Sequence, residues 1–204
     1  MDFALIAGSL ALRNPHHNSD LDVIIGAKEG RIFTVRLFTS FYLWLLELRR
    51  GSNASKEEGS GKVCLNHFVT PRGYELRSPR NAYWATLYKN LVPIFGDKNT
   101  ILHFFQGNIW ASAGAETWSF FRAEKPNWFR NALEIVLEGP IGNLFEYVVR
   151  FFQKAKFQES LKNVKAGNLP RVFFGDEELE FHPDTRRISE YLKKSEELIC
   201  ELTP

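Results

Sequence analysis

Two aspartates lie two residues apart in an apolar segment near the N-terminus. Asp20 and Asp22 flank Leu21 and precede Val23-Ile24-Ile25, a pattern that predicts a buried strand over 21–25. Side chains two residues apart in a strand point to the same face, so the two carboxylates are expected to be neighbours. Like charges at this range raise each other's pKa unless a cation lies between them. We therefore expect Asp20 and Asp22 to bind a divalent cation, Mg²⁺ or Mn²⁺.

A Gly-Ser pair precedes these aspartates. Gly8 and Ser9 end the apolar run 3–7, which predicts a buried strand, and they precede residues 10–12, which predict a short helical turn. Backbone N–H groups at a helix N-terminus, with a serine hydroxyl beside them, can bind an anion. The two segments together predict a phosphate site next to a divalent metal site.

The first half of the chain predicts strands and one long helix. Residues 63–69 predict a third strand and 74–76 a short edge strand, while 31–50 predict a helix between the second and third strands. This helix is expected to end with Arg49 and Arg50 in its last turn and Gly51 after it. Residues 51–61 predict a surface loop.

Helices are predicted over most of the second half. They cover 79–90, with Ser78 as the N-cap, and also 97–110, 126–138, 141–165 and 184–202, while 167–175 are predicted to be a connector. This order predicts an α/β (α+β) fold, with a small mixed sheet covered by helices and a mostly helical C-terminal half.

Two runs of sequence together resemble a known family signature. They are Leu5-Ile6-Ala7-Gly8-Ser9 and Ser19-Asp20-Leu21-Asp22-Val23-Ile24-Ile25. The signature, a strand ending in Gly-Ser, about ten residues, then Asp-hydrophobic-Asp on the next strand, is that of the DNA polymerase β-type nucleotidyltransferase superfamily. The resemblance covers about residues 3–76. More weakly, the whole chain resembles a group of uncharacterised prokaryotic nucleotidyltransferase-domain proteins, in the segments Gly30-Arg31-Ile32, Cys64-Leu65-Asn66, Gly107-Asn108-Ile109-Trp110 and Phe181-His182-Pro183.

The resemblance implies a fold and an activity. The fold is polymerase β-like, with a nucleotidyltransferase core over 1–78 and a helical region over 79–204 packed on it. The activity is transfer of a nucleoside monophosphate from an NTP, such as ATP, to a hydroxyl acceptor, with release of pyrophosphate. Gly8 and Ser9, with Arg13 and Ser19 from the intervening loop, would contact the nucleotide, and Asp20 and Asp22 would hold the metal. The acceptor, whether a protein, an RNA or a small molecule, is left open.

Members of this superfamily usually supply a third carboxylate from a later strand. Alternation in the strand 63–69 is expected to place Cys64, Asn66 and Phe68 on one face and His67 on the other. Asn66 then takes the place of the third acid, which predicts a catalytic set of Asp20, Asp22 and Asn66. An Asn carbonyl can bind Mg²⁺ but cannot accept a proton. A nucleotide-binding or interaction module without turnover is therefore the alternative.

Composition bounds the remaining function classes. The chain has 204 residues, of which 44% are hydrophobic, so it can bury a core and is not disordered over most of its length. With 26 basic and 24 acidic residues, the net charge of +2 gives no global field for nucleic acid. Two cysteines, with no basic segment at the N-terminus, predict a cytoplasmic protein without a disulfide framework.

The apolar run 32–46 is too short to cross a bilayer and predicts a buried core helix, so no membrane partner is expected. The oligomeric state is open, a homodimer included.

Overall fold

The structure is a computed structural model that describes residues 1–51, 60–78, 80–111, 134–162, 171–182, 185–186 and 188–194, with Asn66 described in its backbone only. The strands in these residues are β1 (Phe3–Ile6), β2 (Leu21–Gly26), β3 (Val63–Val69), β4 (Val92–Gly96), β5 (Arg171–Phe174) and β6 (Glu178–His182). The helices are α1 (Gly8–Ala11), α2 (Ile32–Leu45), α3 (Ala82–Lys89), α4 (Lys98–Gln106) and α5 (Pro140–Lys162), with short 3₁₀ turns at Pro71–Gly73 and Ile109–Ala111. The protein is therefore mixed α/β, as predicted.

The strands form one mixed sheet in the order β4-β1-β2-β3-β6-β5. Strand β1 is antiparallel to both β2 and β4, and β6 is antiparallel to both β3 and β5. Strands β2 and β3 are parallel, so the chain must cross over between them, and α2 forms part of this connection. The C-terminal end of β1 and the N-terminal end of β2 therefore lie side by side at the same end of the sheet. The Gly-Ser pair and the two aspartates occur there.

The region 79–204 is mostly helical in its described residues, as predicted, but it also contributes three strands that the sequence did not predict. Strand β5 lies in the predicted connector, and β4 and β6 pair with strands of the N-terminal core. The predicted edge strand over 74–76 is wrong. Tyr74 and Leu76 are instead buried beneath the helices, 3% and 1% exposed. The apolar pattern there reflects core packing, because no neighbouring strand pairs with these residues in the described part of the sheet.

Both faces of the sheet are covered by apolar side chains. Alternate residues of β1 and β2 divide between the two faces, since Leu5 and Ile24 pack under α3 and α4 while Ala4 and Val23 face α2 and α5. The first core includes Phe3, Leu5, Ile24, Tyr74, Trp84, Tyr88, Ile101 and Phe104; the second includes Ala4, Val23, Ile25, Phe33, Phe68, Val149, Phe157 and Leu179.

Helix α2 is shorter than predicted. It ends at Leu45, Glu47 adopts φ 58°, and Arg49 forms an isolated bridge to Val63 beside the parallel strands. Arg49 and Arg50 therefore lie beside the start of β3, and the expectation that they occupy the last helical turn is wrong. The expected burial is also only partly correct, because the second half exposes Phe41, Tyr42 and Trp44 by 55–63%, whereas Ile32, Phe33 and Thr34 are buried.

A buried glutamate from α5 caps the start of α2. The backbone N–H groups of Phe33 and Thr34 donate to Glu146 Oε1 and Oε2 at 2.9 and 2.8 Å. The side chain of Glu146 is 3% exposed. Its negative charge lies at the positive end of the helix and satisfies two N–H groups that have no partner within α2. This contact fixes α5 against α2 on the face opposite the aspartates.

The remaining predicted helices agree with the structure only in part. Helix α3 begins after Asn81, whose side chain accepts from the Trp84 N–H at 3.1 Å, so the predicted cap at Ser78 is wrong. Helix α5 confirms the predicted helix over 141–162, and residues 163–165 lie outside the described residues. Residues 134–138 and the described residues of 186–194 are helical, and the rest of the predicted helices 126–138 and 184–202 lies outside the described residues. Within the described chain, no helix combines the length and apolar character needed to span a membrane.

Candidate active site

The turn after β1 brings the backbone of Gly8 against the carboxylate of Asp22. Gly8 has φ +63°, a conformation that favours glycine, and a Cβ built on it would collide with Asp22 Oδ2. The preceding residue, Ala7, donates its N–H to the Asp22 carbonyl at 2.9 Å. Only glycine can occupy position 8 in this arrangement. The turn can thus lie against the Asp22 carboxylate because Gly8 has no side chain.

Three side chains with metal-ligating atoms converge next to this turn. Asp20 precedes β2, Asp22 lies within it, and Cys64 is the partner of Asp22 in the parallel pairing with β3. One carboxylate oxygen of each aspartate and the Sγ of Cys64 all lie within 4.8 Å of one another. The spacing of the two aspartates therefore does bring them together, and the residue beside them on the next strand is Cys64.

The surroundings of these groups shift their protonation. Burial, followed by the negative charge of Asp20, raises the pKa of Asp22 from 3.8 to about 6. His182, a hydrogen bond from Cys64 and the charge of Arg50 act in the opposite direction. Burial, with the charges of Asp22 and Asp20, raises the pKa of the Cys64 thiol to about 12. At neutral pH Asp22 is therefore mostly ionised, and the Cys64 thiol is protonated.

The two carboxylates fit a hard divalent cation. Mg²⁺ and Mn²⁺ prefer oxygen ligands, and a cation would remove the repulsion that raises the pKa of Asp22. The Cys64 thiol is a poor ligand for such a cation because a metal-bound cysteine must lose its proton. Asp20 also forms an ion pair with Arg50, in which Arg50 Nη1 donates to Asp20 Oδ2.

An irregularity in β3 changes which of its residues face the site. The register shifts so that Asp22 pairs with Cys64 but Ile24 pairs with His67. His67 therefore shares a face with Asp22, and the expectation that it points away is wrong. Phe68 packs in the opposite core and does not share a face with Cys64, which corrects the expected alternation. The side chain of Asn66 lies outside the described residues, so its role remains a prediction.

A small cavity connects these groups. It has a volume of about 120 Å³, and its walls include Gly8, Asp22, His67, Trp84 and His182. This volume is below the range of about 300–1,000 Å³ that is typical of small-molecule sites, so it can hold only part of a nucleotide. A larger cavity of about 650 Å³ shares Trp84 and Ile188 with it.

Two buried glutamates on β6 extend the polar face beyond His67. Glu178 accepts from Arg77 Nε at 2.5 Å and lies 3.2 Å from His67 Nε2. Glu180 accepts from Arg171 Nε at 2.7 Å. Burial alone would raise the pKa of Glu180, but its hydrogen bond with His182 and the nearby His67 and Arg171 outweigh burial and lower the pKa to about 2.

These pairs give the two glutamates a structural role. His67, Glu178 and Glu180 could hold a metal ion by their spacing, yet each carboxylate already has an arginine partner. A buried carboxylate with such a partner needs no metal to offset its charge. No local pattern indicates this network, since residues far apart in the chain complete it.

The larger cavity is lined by cations stacked on aromatic rings. The guanidinium of Arg77 lies 3.7 Å from the centre of the Phe173 ring, and that of Arg171 lies 5.0 Å from the centre of the Trp84 ring. Other parts of the wall are formed by the residues that lead into α3, by β5 and β6, and by residues between 185 and 192. Stacked arginines can bind anionic or planar ligands.

The predicted nucleotide-contacting residues belong to the turn after β1 and to the loop that leads to β2. Ser9 Oγ donates to Ser19 Oγ at 3.1 Å, and Ser19 Oγ accepts from the His16 N–H at 2.9 Å. The structure thus brings Ser9 and Ser19 together. Arg13 is exposed, with φ 55°, in the loop after α1. Among the described residues, no side chain caps the start of α1, so its first N–H groups are not satisfied by a cap.

Comparison of the chain with family models, with curated proteins and with solved structures gave no match. A functional assignment therefore depends on the residues and on their geometry.

Proposed function

We propose that this protein is a metal-dependent nucleotidyltransferase, which transfers a nucleoside monophosphate from an NTP to a hydroxyl acceptor. The observation that carries this proposal is the contact of the Gly8 backbone with the carboxylate of Asp22, with Asp20 beside it. A turn that offers N–H groups to phosphate and a pair of carboxylates that can hold Mg²⁺ are thereby adjacent. This is the arrangement that a metal-bound triphosphate requires.

Asp20 and Asp22 would hold Mg²⁺ or Mn²⁺ as a pair of carboxylate ligands. The bound cation would neutralise phosphate charge as it develops during the transfer. Gly8 and Ser9 would donate backbone N–H groups to the terminal phosphates, while Ser19 orients the Ser9 hydroxyl and Arg13 supplies a cation from the loop. These residues would position the α-phosphate for attack, which is the main contribution of a protein to phosphoryl-type transfer.

The acceptor would bind in the 650 Å³ cavity. This cavity has a volume typical of small-molecule sites and shares Trp84 and Ile188 with the cavity beside Asp22. The acceptor oxygen would form a bond to the α-phosphorus, the bond from that phosphorus to the bridging oxygen would break, and pyrophosphate would leave. The hydroxyl proton would pass to solvent.

A nucleotide-binding module without turnover is the second candidate. The position beside Asp22 on β3 is occupied by Cys64, a thiol whose pKa of about 12 keeps it protonated. A protonated thiol cannot accept the proton of an acceptor hydroxyl. This candidate predicts that Mg²⁺ and NTP bind without release of pyrophosphate.

The test uses water as the acceptor. Wild-type protein with Mg²⁺ and each of the four α-³²P-labelled NTPs is expected to release pyrophosphate and form labelled NMP with at least one of them. Asp20→Asn and Asp22→Asn should reduce this rate about 100-fold or more, since both remove a metal ligand. Asp176→Asn, which removes an exposed carboxylate, is the matched control and should keep the wild-type rate. If the wild-type protein binds Mg²⁺ and NTP but releases no pyrophosphate, the second candidate is favoured. If it neither binds NTP nor releases pyrophosphate, both candidates are overturned.

A further inference from the structure

We propose that Arg50 competes with the divalent cation for Asp20 and moves to the triphosphate when a metal-bound nucleotide enters. This inference rests on the proposed function and assigns a role to a residue outside the family signature. It makes Arg50 both a competitor of the free metal and a ligand of the bound nucleotide.

The backbone places Arg50 beside the aspartates. The Arg50 N–H donates to the Val63 carbonyl at 3.0 Å, and the Val63 N–H donates to the Leu48 carbonyl at 2.7 Å. These bonds attach residues 48–50 to the start of β3, next to Cys64. The backbone of Arg50 is therefore held in place by hydrogen bonds, and its side chain reaches Asp20 from this fixed position.

The Arg50 guanidinium uses the oxygen that a cation would need. Its Nη1 donates to Asp20 Oδ2, and the side chains of Arg50 and Asp20 are only 30% and 22% exposed. A metal ion bound to the same oxygen would place two positive charges next to each other in a half-buried site, where water screens them weakly. The ion pair and the metal therefore compete for Asp20.

A triphosphate reverses this competition. It brings negative charge to the side of the metal away from the carboxylates, and the planar guanidinium suits phosphate oxygens better than any other side chain does. Arg50, displaced from Asp20 by the cation, would then find a new anionic partner within reach of its long side chain. We expect Arg50 to oppose binding of the free metal and to favour binding of the metal–nucleotide complex.

The test compares these two binding events. Mn²⁺ binding is measured by EPR titration, first with Mn²⁺ alone and then with Mn²⁺ and α,β-methylene-ATP, a probe that cannot release pyrophosphate. Arg50→Gln should bind free Mn²⁺ about 10-fold more tightly and the Mn²⁺–nucleotide complex about 10-fold more weakly, as expected for loss of one charged hydrogen bond in each state. Arg50→Lys keeps the charge but not the planar fork, so its affinity for free Mn²⁺ should stay near wild type while nucleotide binding weakens.

Arg49→Gln is the matched control, since it removes the same charge one residue away. Arg49 lies near Arg36, whose pKa is lowered by burial and then by the charge of Arg49, and Arg49 is not among the groups that shift the pKa of Asp22. Both affinities of this variant should stay within about 2-fold of wild type. Opposite changes in Arg50→Gln support the proposal because a merely structural role would move both affinities in the same direction.

Two results distinguish failure of the proposed function from failure of the role proposed for Arg50. If Asp22→Asn binds Mn²⁺ as tightly as wild type, the metal site itself is wrong and the proposed function fails with it. If Asp22→Asn loses Mn²⁺ but Arg50→Gln changes both affinities in the same direction, or neither, the metal site stands and the role of Arg50 is overturned.

Discussion

Replacing Asp22 by Asn should stabilise the metal-free protein, although it removes a proposed metal ligand. Burial and Asp20 raise the pKa of Asp22 from 3.8 to about 6, so the folded protein binds this proton more tightly than the unfolded chain does. The free energy of unfolding contributed by Asp22 therefore falls as the pH rises from about 3.8 to 6 and stays low above pH 6. Because one pKa unit corresponds to about 1.4 kcal/mol, the loss at pH 7 is about 3 kcal/mol.

Asparagine avoids this loss because it has the same shape and carries no charge. Its carbonyl oxygen can still accept the hydrogen bond from Cys64. Urea unfolding in EDTA, followed by circular dichroism, should show Asp22→Asn more stable than wild type by up to about 3 kcal/mol at pH 7, and by much less at pH 4. Asp176→Asn, which changes an exposed carboxylate, should lack this dependence on pH. If Asp22→Asn is no more stable than wild type at pH 7, the reasoning about the buried carboxylate pair is refuted.

Three further substitutions or reactions test separate parts of the structure. Gly8→Ala should lower the free energy of unfolding by about 1–3 kcal/mol in urea unfolding and abolish Mn²⁺ binding, because φ +63° and the Asp22 carboxylate leave no room for a Cβ; normal Mn²⁺ binding would contradict this. Glu146→Gln should lower the free energy of unfolding by about 1–3 kcal/mol, since one of the two buried acceptor oxygens of Glu146 becomes an amide donor that faces an N–H group. A change below about 0.5 kcal/mol would show that the cap is not needed. Cys64 should resist iodoacetamide at pH 8 in the folded protein and react in urea, as measured by peptide mass, because its pKa is about 12; rapid reaction of the folded protein would contradict the buried thiol.

The N-terminal part of the site could be predicted because its signals are local. Short apolar runs bounded by glycine and polar residues indicated β1 and β2, and the spacing of Asp20 and Asp22 indicated neighbouring carboxylates. The glycine at position 8 was also indicated locally, since it marks a turn directly after a buried strand. Each of these signals depends on fewer than ten neighbouring residues.

The face of β3 could not be predicted because its pattern is locally regular. Residues 63–69 alternate in a way that suits a straight strand, but the shift in register between Asp22 and Ile24 turns His67 toward the site. Both faces of this strand are covered by the protein, so apolar residues occur on each side and do not reveal the shift. The pairing with β2 alone decides which side chains meet.

The C-terminal strands were missed because their charged residues occupy buried positions, although β5 and β6 pair with each other as a local hairpin. Glu178 and Glu180 alternate with Leu179, a pattern that is typical of an exposed segment, yet both are buried. Arg77 and Arg171 offset their charges. Arg77 precedes Glu178 by about a hundred residues, so no window of sequence contains the pair. The distant Arg77, and not the local pattern, therefore explains the burial of Glu178.

The most direct test of the account is the position of a bound cation. A crystal of the wild-type protein grown with Mn²⁺ and α,β-methylene-ATP should show an anomalous peak about 2.1 Å from carboxylate oxygens of both Asp20 and Asp22, with the triphosphate against Gly8 and Ser9. The same crystal should show Arg50 turned from Asp20 toward the phosphates. An anomalous peak at His67, Glu178 and Glu180 instead, or a triphosphate bound away from the Gly-Ser turn, would contradict the account.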